Sequence, residues 1–241
     1  MNIESLENKK VKEWSKLNQK KYRDELGLFL VEGSNLIKEA YNASYLQELI
    51  LEKGSFLPLD VDTYYVTPEI MKKISELDTP INMIGVCKKK EESELGDRIL
   101  VLDNIQDPGN LGTIIRSACA FNVDTIVLSD NSVDLYNPKV IRATQGMLFN
   151  INIIRKDLSS FIPLLKMSDY KIYGTDVDGG INVKSLKEYG KLCVIVGNEG
   201  KGVSDNIKKL CDKHIYISMN EKCESLNVGV AASIILYELD N

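Results

Sequence analysis

Residues 104–121 read "NIQDPGNLGTIIRSACAF" and follow an apolar run, "RILVLD", at 98–103. A short run of this kind is what a parallel strand buried on both faces looks like. Beyond the loop, Leu111, Ile114, Ile115 and Ala118 recur at helical spacing. Asn110 stands where a helix N-cap is expected. Arg116 lies off the apolar stripe, one turn after Gly112, which has no side chain to cover a guanidinium. The stretch is either a capped helix with a surface Arg or an Arg aimed across a cleft at an anion. Permanent charge and forked donors suit the second role.

The alternation continues downstream. "TIVLSD", "NINIIR", "KIYGTD", "LCVIVGN" and "HIYISM" read as strands, and "PKVIRATQGM", "LSSFIPLLKM", "SDNIKKLC" and "LNVGVAASIILYEL" as helices. This predicts a largely parallel α/β sheet, covered on both faces, from residue 98 onward. Ligands of such sheets sit outside the carboxyl ends of the strands. Three unusual loops fall at those ends: the one opening at Asn104, "GNEGKGVS" at 197–204, and "NEKCES" at 220–225. Topology predicts that they converge. The glycine spacing of the second loop matches neither a dinucleotide fingerprint nor a P-loop. Ser225 is a candidate cap for the last helix, and Gly229, Ala231, Ala232 and Ser233 would let that helix approach another backbone closely.

Upstream, a helix near 5–19 precedes the strand "LFLVEG", the helix "SNLIKEAYNA", the strands "LQELILE" and "TYYVT", the helix "PEIMKKISEL" with Pro68 at its first position, and a closing strand "INMIGVCKK". This is a smaller α/β unit. The charged, apolar-poor stretch that follows reads as a linker, so the expected division is 1–90, a linker at 91–97, and 98–241.

Of the 241 residues, 44% are hydrophobic and 27% charged, the profile of a globular protein with a full core. The opening residues lack the apolar run of a signal peptide and no segment is expected to span a bilayer. Five scattered cysteines without CxxC spacing suggest reduced thiols in a cytoplasmic protein, and the single His214 rules out a multi-histidine metal site, so no metal is expected. The net charge of −5 does not favour nucleic acid, yet residues 9–23 carry seven Lys or Arg against one Glu. That segment is either the solvated face of a helix or a basic arm for phosphates, with Lys9, Lys10, Lys12, Lys16 and Arg23 as its candidate contacts.

In order and spacing, "DNIQDPGNLGTIIRSACAF", "VIVGNEGKGVS" and "ISMNEKCESLNVGVAASIILYEL" resemble the three motifs of the SpoU/TrmH RNA 2'-O-ribose methyltransferases of the SPOUT superfamily. "NPKVIRATQGMLF" is similar to a further family segment, and "FLVEGSNLIKEA" to the family's ribosomal-protein-like RNA-binding domain. The resemblance implies a trefoil-knotted catalytic domain, S-adenosyl-L-methionine as cofactor, a homodimer, and an RNA substrate, with ribosomal RNA preferred. It implies Arg116, Asn110, Glu199, Ser225 and Asn227 as catalytic-site residues, Arg116 foremost. It further implies cofactor contacts at Thr175, Gly197, Asn198, Gly200, Gly202, Ile217, Met219, Leu226 and Asn227. The chain departs from the family at Asn122 and Gly229, where Gly and Ser are common. The alternatives are a transfer-RNA methyltransferase, a non-catalytic RNA-binding or ribosome-assembly factor on the same scaffold, and an unrelated nucleotide-dependent enzyme.

Overall fold

The computed structural model describes residues 1–177, 179–187 and 190–240. The chain divides into two compact units, Met1–Glu91 with Asp134–Asn150, and Glu92–Val133 with Ile151–Asn241.

The first unit runs β1 (Asn2–Ile3), α1 (Lys9–Lys16), α2 (Lys20–Leu26), β2 (Leu28–Glu32), α3 (Ser34–Asn42), β3 (Leu46–Glu52), β4 (Asp62–Val66), α4 (Pro68–Ile74) and β5 (Met83–Lys88). Its sheet has the order β1-β4-β3-β5-β2, with β5 antiparallel to both neighbours. Trp14, Ile50, Ile70, Ile74 and Ile84 form its core. The helix expected near 5–19 is the shorter α1, capped by Asn8, and a second helix not anticipated, α2, follows it and ends at Gly27, whose φ of +66° is the left-handed C-terminal stop.

Asp134–Asn150, which carries α6 (Pro138–Thr144), packs with this unit and not with the sheet that flanks it in sequence. Phe29 packs at a tilt against Tyr136 and stacks on Phe149, at centroid distances of 4.6 and 6.2 Å. Tyr136 Oη accepts the Lys90 amide at 2.9 Å. Arg23, only 4% exposed, donates to Asp134 Oδ2 at 2.7 Å and to the carbonyls of Leu17 and Asn18 at 2.9 and 2.8 Å. A buried cation needs such partners, since removing one leaves an uncompensated charge.

The second unit holds β6 (Arg98–Leu102), α5 (Pro108–Ala120), β7 (Thr125–Ser129), β8 (Asn152–Lys156), α7 (Leu158–Met167), β9 (Lys171–Thr175), β10 (Ile181–Asn182), β11 (Leu192–Val196), α8 (Asp205–Lys208), β12 (Lys213–Tyr216) and α9 (Val228–Asp240). Its sheet is parallel throughout, in the order β10-β12-β9-β11-β6-β7-β8. β7 and β11 are buried at every residue, which explains their uninterrupted apolar sequence. From β6 the chain proceeds outward through β7 to β8, then returns to the other side, where β11 enters between β9 and β6. The strand order therefore reverses between β6 and β11, and a crevice is expected at their carboxyl ends.

Candidate active site

The loop after β6 opens α5 with an Asp-Pro step. Asp107 is the N-cap, its carboxylate accepting the Asn110 amide at 2.8 Å, and Pro108 takes the first turn, where its missing N–H is no loss. The cap is thus Asp107 and not Asn110, because the Pro fixes where the helix begins. The Asn110 side chain is left to bridge the other two loops. Its Nδ2 donates to Glu199 Oε1 at 3.1 Å, and its Oδ1 accepts from Asn227 Nδ2 at 2.9 Å.

The loop after β11 is a closed bend. Asn198 and Gly202 exchange backbone hydrogen bonds of 3.0 and 2.9 Å, and Asn198 Oδ1 accepts the amides of Gly200 and Lys201. Asn198 Nδ2 reaches the carbonyl of Asn104 at 2.9 Å, fastening this bend to the loop after β6. Glu199 receives the Asp107 amide at 3.2 Å on the same oxygen that takes Asn110. A β-carbon on Gly197 would lie 2.0 Å from the backbone of Gly202 and Val203, so the bend closes only around glycine. Asp103, 7% exposed at the end of β6, accepts both the amide and the hydroxyl of Ser204, at 2.8 and 2.6 Å. Sequence reading missed Asp103; an acid directly after an apolar strand was the available signal.

In the third loop Asn227, not Ser225, caps the last helix: its Oδ1 accepts the amides of Gly229 and Val230 at 2.9 and 3.3 Å. Gly229 faces Thr113 of α5, and a β-carbon there would meet the Thr113 side chain at 3.2 Å. Ser117 and Ser233 join hydroxyls at 2.6 Å along the same α5–α9 contact. This is the close helix approach expected from the small residues. Asn122, the other family departure, has φ +53°, the left-handed conformation that Gly and Asn share at helix ends.

The loops after β11 and β12 border a cavity of about 310 Å³, and the loop after β6 reaches it through Glu199. Thr175, Gly197, Asn198, Glu199, Gly200, Gly202, Ile217, Met219, Ser225 and Leu226 line it, as do the unanticipated Asp176 and Lys208. Asn110 and Asn227 lie outside the lining and connect to it through Glu199. Arg116 is not in the lining. It is exposed on α5 and, among the described residues, has no hydrogen-bond or ion-pair partner.

In the first unit the expected RNA-facing residues separate. Lys9, Lys12 and Lys16 are exposed, with Lys12 paired to Glu7 at 2.5 Å and Lys16 over the Tyr22 ring at 5.2 Å. Lys10 is half-buried on Glu48, which also accepts Trp14 Nε1. That hydrogen bond to Glu48 raises the Lys10 pKa. Arg23 cannot serve as a surface contact, because its guanidinium is buried on Asp134 and two carbonyls.

A parallel sheet with a ligand-sized cavity at the carboxyl ends of β9, β11 and β12, lined by the second and third polar loops, is the arrangement of an α/β protein with a small-molecule site at the carboxyl edge of its strands. Residues 97–237 match the SpoU rRNA Methylase family, and residues 8–85 the MRM3-like substrate binding domain. The chain belongs to the SpoU rRNA methylase family. It is 37% identical to the 23S rRNA (guanosine(2553)-2'-O)-methyltransferase RlmP of Bacillus subtilis, over 98% of each chain. Among solved structures it resembles an AdoMet-bound rRNA methyltransferase from Sinorhizobium meliloti, with a TM-score of 0.86 at 26% identity over 99% of this chain and 96% of that one. It also resembles an RNA 2'-O ribose methyltransferase, with a TM-score of 0.82 at 28% identity over 99% and 97%.

Proposed function

We infer that this chain transfers a methyl group from S-adenosyl-L-methionine to a ribose 2'-hydroxyl of ribosomal RNA. One observation carries the reading: Asn227, Asn110 and Glu199, one from each motif, form a continuous hydrogen-bonded chain beside the cavity. Full-length likeness to an rRNA 2'-O-methyltransferase supports it.

The cavity fits the cofactor. Its volume falls in the ~300–1,000 Å³ range of small-molecule sites. Ile217, Met219 and Leu226 offer an apolar slot for a purine, and the 197–202 bend offers backbone groups where side chains are absent. Bound there, S-adenosylmethionine supplies an electrophilic methyl carbon on a positively charged sulfur. The residues of this chain do the rest. Arg116, which has no partner among the described residues, holds an RNA phosphate beside the hydroxyl and stabilises negative charge developing on its oxygen. That phosphate or a group near it accepts the proton. Glu199 fixes the Asn110 amide, and with it Asn227, at the mouth of the cavity.

The division of labour is an RNA-binding region at 1–90, a linker at 91–97 and a knotted methyltransferase region at 98–241, the excursion Asp134–Asn150 packing with the former. The domain matches at 8–85 and 97–237 support this division, and the entry of β11 between β9 and β6 supports the knot. The protein acts as a homodimer, which the exposure of Val230 and Tyr237 on α9 supports, and in the cytoplasm, which its free thiols support. The decisive experiment compares Arg116→Ala, Arg116→Lys and the parent. Turnover on RNA should fall sharply in the first and recover little in the second, while binding of S-adenosylhomocysteine persists. Unchanged turnover refutes the role. Ribose-methylation mapping of total RNA with and without the protein identifies the substrate.

A further inference from the structure

The cavity has a charged end that the three motifs do not include. Asp176 follows the last residue of β9, and Lys208 closes α8. Both line the cavity, joined Nζ to Oδ2 at 2.8 Å, with side chains 21% and 30% exposed. Building on the cofactor assignment above, we propose that this ion pair is the subsite for the α-amino-acid group, Asp176 taking the ammonium and Lys208 the carboxylate.

The remaining lining points to this pair. Of the other charged residues there, Glu199 is held by the Asp107 amide, Asn110 and Asn198, and Lys201 and Glu224 are exposed loop residues. Among the described lining residues, only Asp176 and Lys208 present opposite charges at a set separation, partly withdrawn from water. A zwitterion with ammonium and carboxylate on one carbon is the complement of such a pair, each charge meeting its opposite. The ammonium of Lys208 has three N–H groups and donates one to Asp176. The Asp176 carboxylate accepts Lys208 on Oδ2 and the Val177 amide on Oδ1. Val196, Ile215 and Leu226, elsewhere in the cavity, have no side-chain polar atoms and suit the nucleoside.

The competing assignment gives Asp176 to the ribose hydroxyls. Two ligands separate them: S-adenosylhomocysteine, and methylthioadenosine, which keeps adenine, ribose and thioether but lacks the amino acid. Titration calorimetry on the full chain would compare the parent with Asp176→Asn and Lys208→Met. Each variant should lose about tenfold or more in affinity for S-adenosylhomocysteine, as for a charge-assisted hydrogen bond, and stay within about twofold of the parent for methylthioadenosine. Retained methylthioadenosine binding also certifies that the cavity is folded. Equal losses on both ligands overturn the assignment in favour of a ribose or scaffolding role, and no loss on either removes the pair from the site. If neither ligand binds the parent protein, the methyltransferase reading itself fails and takes the subsite with it.

Discussion

Replacing Gly197 by Ala is the sharpest test of how the cavity is built. The added methyl would sit 2.0 Å from the Gly202 carbonyl carbon and the Val203 nitrogen, where ordinary contact begins at 3.4 Å. Relief requires more than an ångström of main-chain movement, in a bend whose ends are tied by reciprocal hydrogen bonds of 3.0 and 2.9 Å. Overpacking against a yielding side chain costs ~1–3 kcal/mol, and a rigid backbone puts this case at the upper end. Losing one tie adds ~1 kcal/mol. A total of roughly 3–4 kcal/mol, at ~2–4 °C per kcal/mol for a chain of this length, lowers the melting temperature by roughly 6–16 °C. Gly200→Ala is the control. The nearest atom to its new methyl is Asn198 Oδ1 at 3.8 Å, so it should be neutral or gain up to ~1 kcal/mol through reduced unfolded-state entropy. Thermal melts and S-adenosylhomocysteine titrations of both variants provide the assay, with binding lost only in Gly197→Ala. A Gly197→Ala protein that melts and binds like its parent would refute the claim that the bend closes on glycine.

Five further outcomes follow from individual residues. Asn122→Ala should cost ~1 kcal/mol by forcing a β-carbon into left-handed backbone without Asn's compensating polar contacts to Asp240, whereas Asn122→Gly should keep the backbone relaxed; thermal melts distinguish them. The Asp24 carboxylate is pulled down to about 2 by hydrogen bonds from Lys20 and Lys89. Its contribution is therefore complete above pH 4 and disappears as pH falls toward 2; at 47% exposure it is below ~1 kcal/mol, and Asp24→Asn should flatten that part of an acid titration of stability. Under native conditions an aromatic disulfide reagent should label exposed Cys223 first and spare Cys87 and Cys193, whose thiol pKa values burial pushes far up. Arg23→Gln should lower the melting temperature by leaving Asp134 unpaired, with RNA affinity intact below the transition, while Glu at Lys9, Lys10, Lys12 and Lys16 together should weaken RNA binding and its salt dependence.

The strands of the second unit were legible because burial on both faces leaves no polar position to interrupt them: "ILVL" in β6 and "LCVIV" in β11 are continuous apolar runs. Their order in the sheet was not. Nothing in the composition of β11 says that it enters between β9 and β6, since every buried parallel strand looks alike. The two-residue β1 and β10 are too short to carry a period. The end of α2 did have a signal, Gly27 after "KKYRDEL". The helix over Pro138–Thr144 was readable, but its allegiance to the first unit rests on Arg23–Asp134 and Phe29–Tyr136, partners more than a hundred residues apart. Such pairs leave no local trace.

At the site, residue types were readable and their division of labour was not. Asn110 and Ser225 both have the chemistry of a cap, and both were passed over for a neighbour. The difference has a consequence for function. A capping Asn110 would turn its side-chain oxygen toward amides of its own helix, whereas here that oxygen accepts from Asn227 at 2.9 Å. Because Pro108 starts the helix early and Asp107 supplies the cap, Asn110 sits in the first turn with its amide free to join the other two loops. Arg116 follows from the same start. With the helix beginning at Pro108, it falls outside the buried stripe of Leu111, Ile114, Ile115 and Ala118, and it has no partner among the described residues. The Asp-Pro step thus sets two things at once, the bridge that closes the cavity and the cation left available for an anionic substrate.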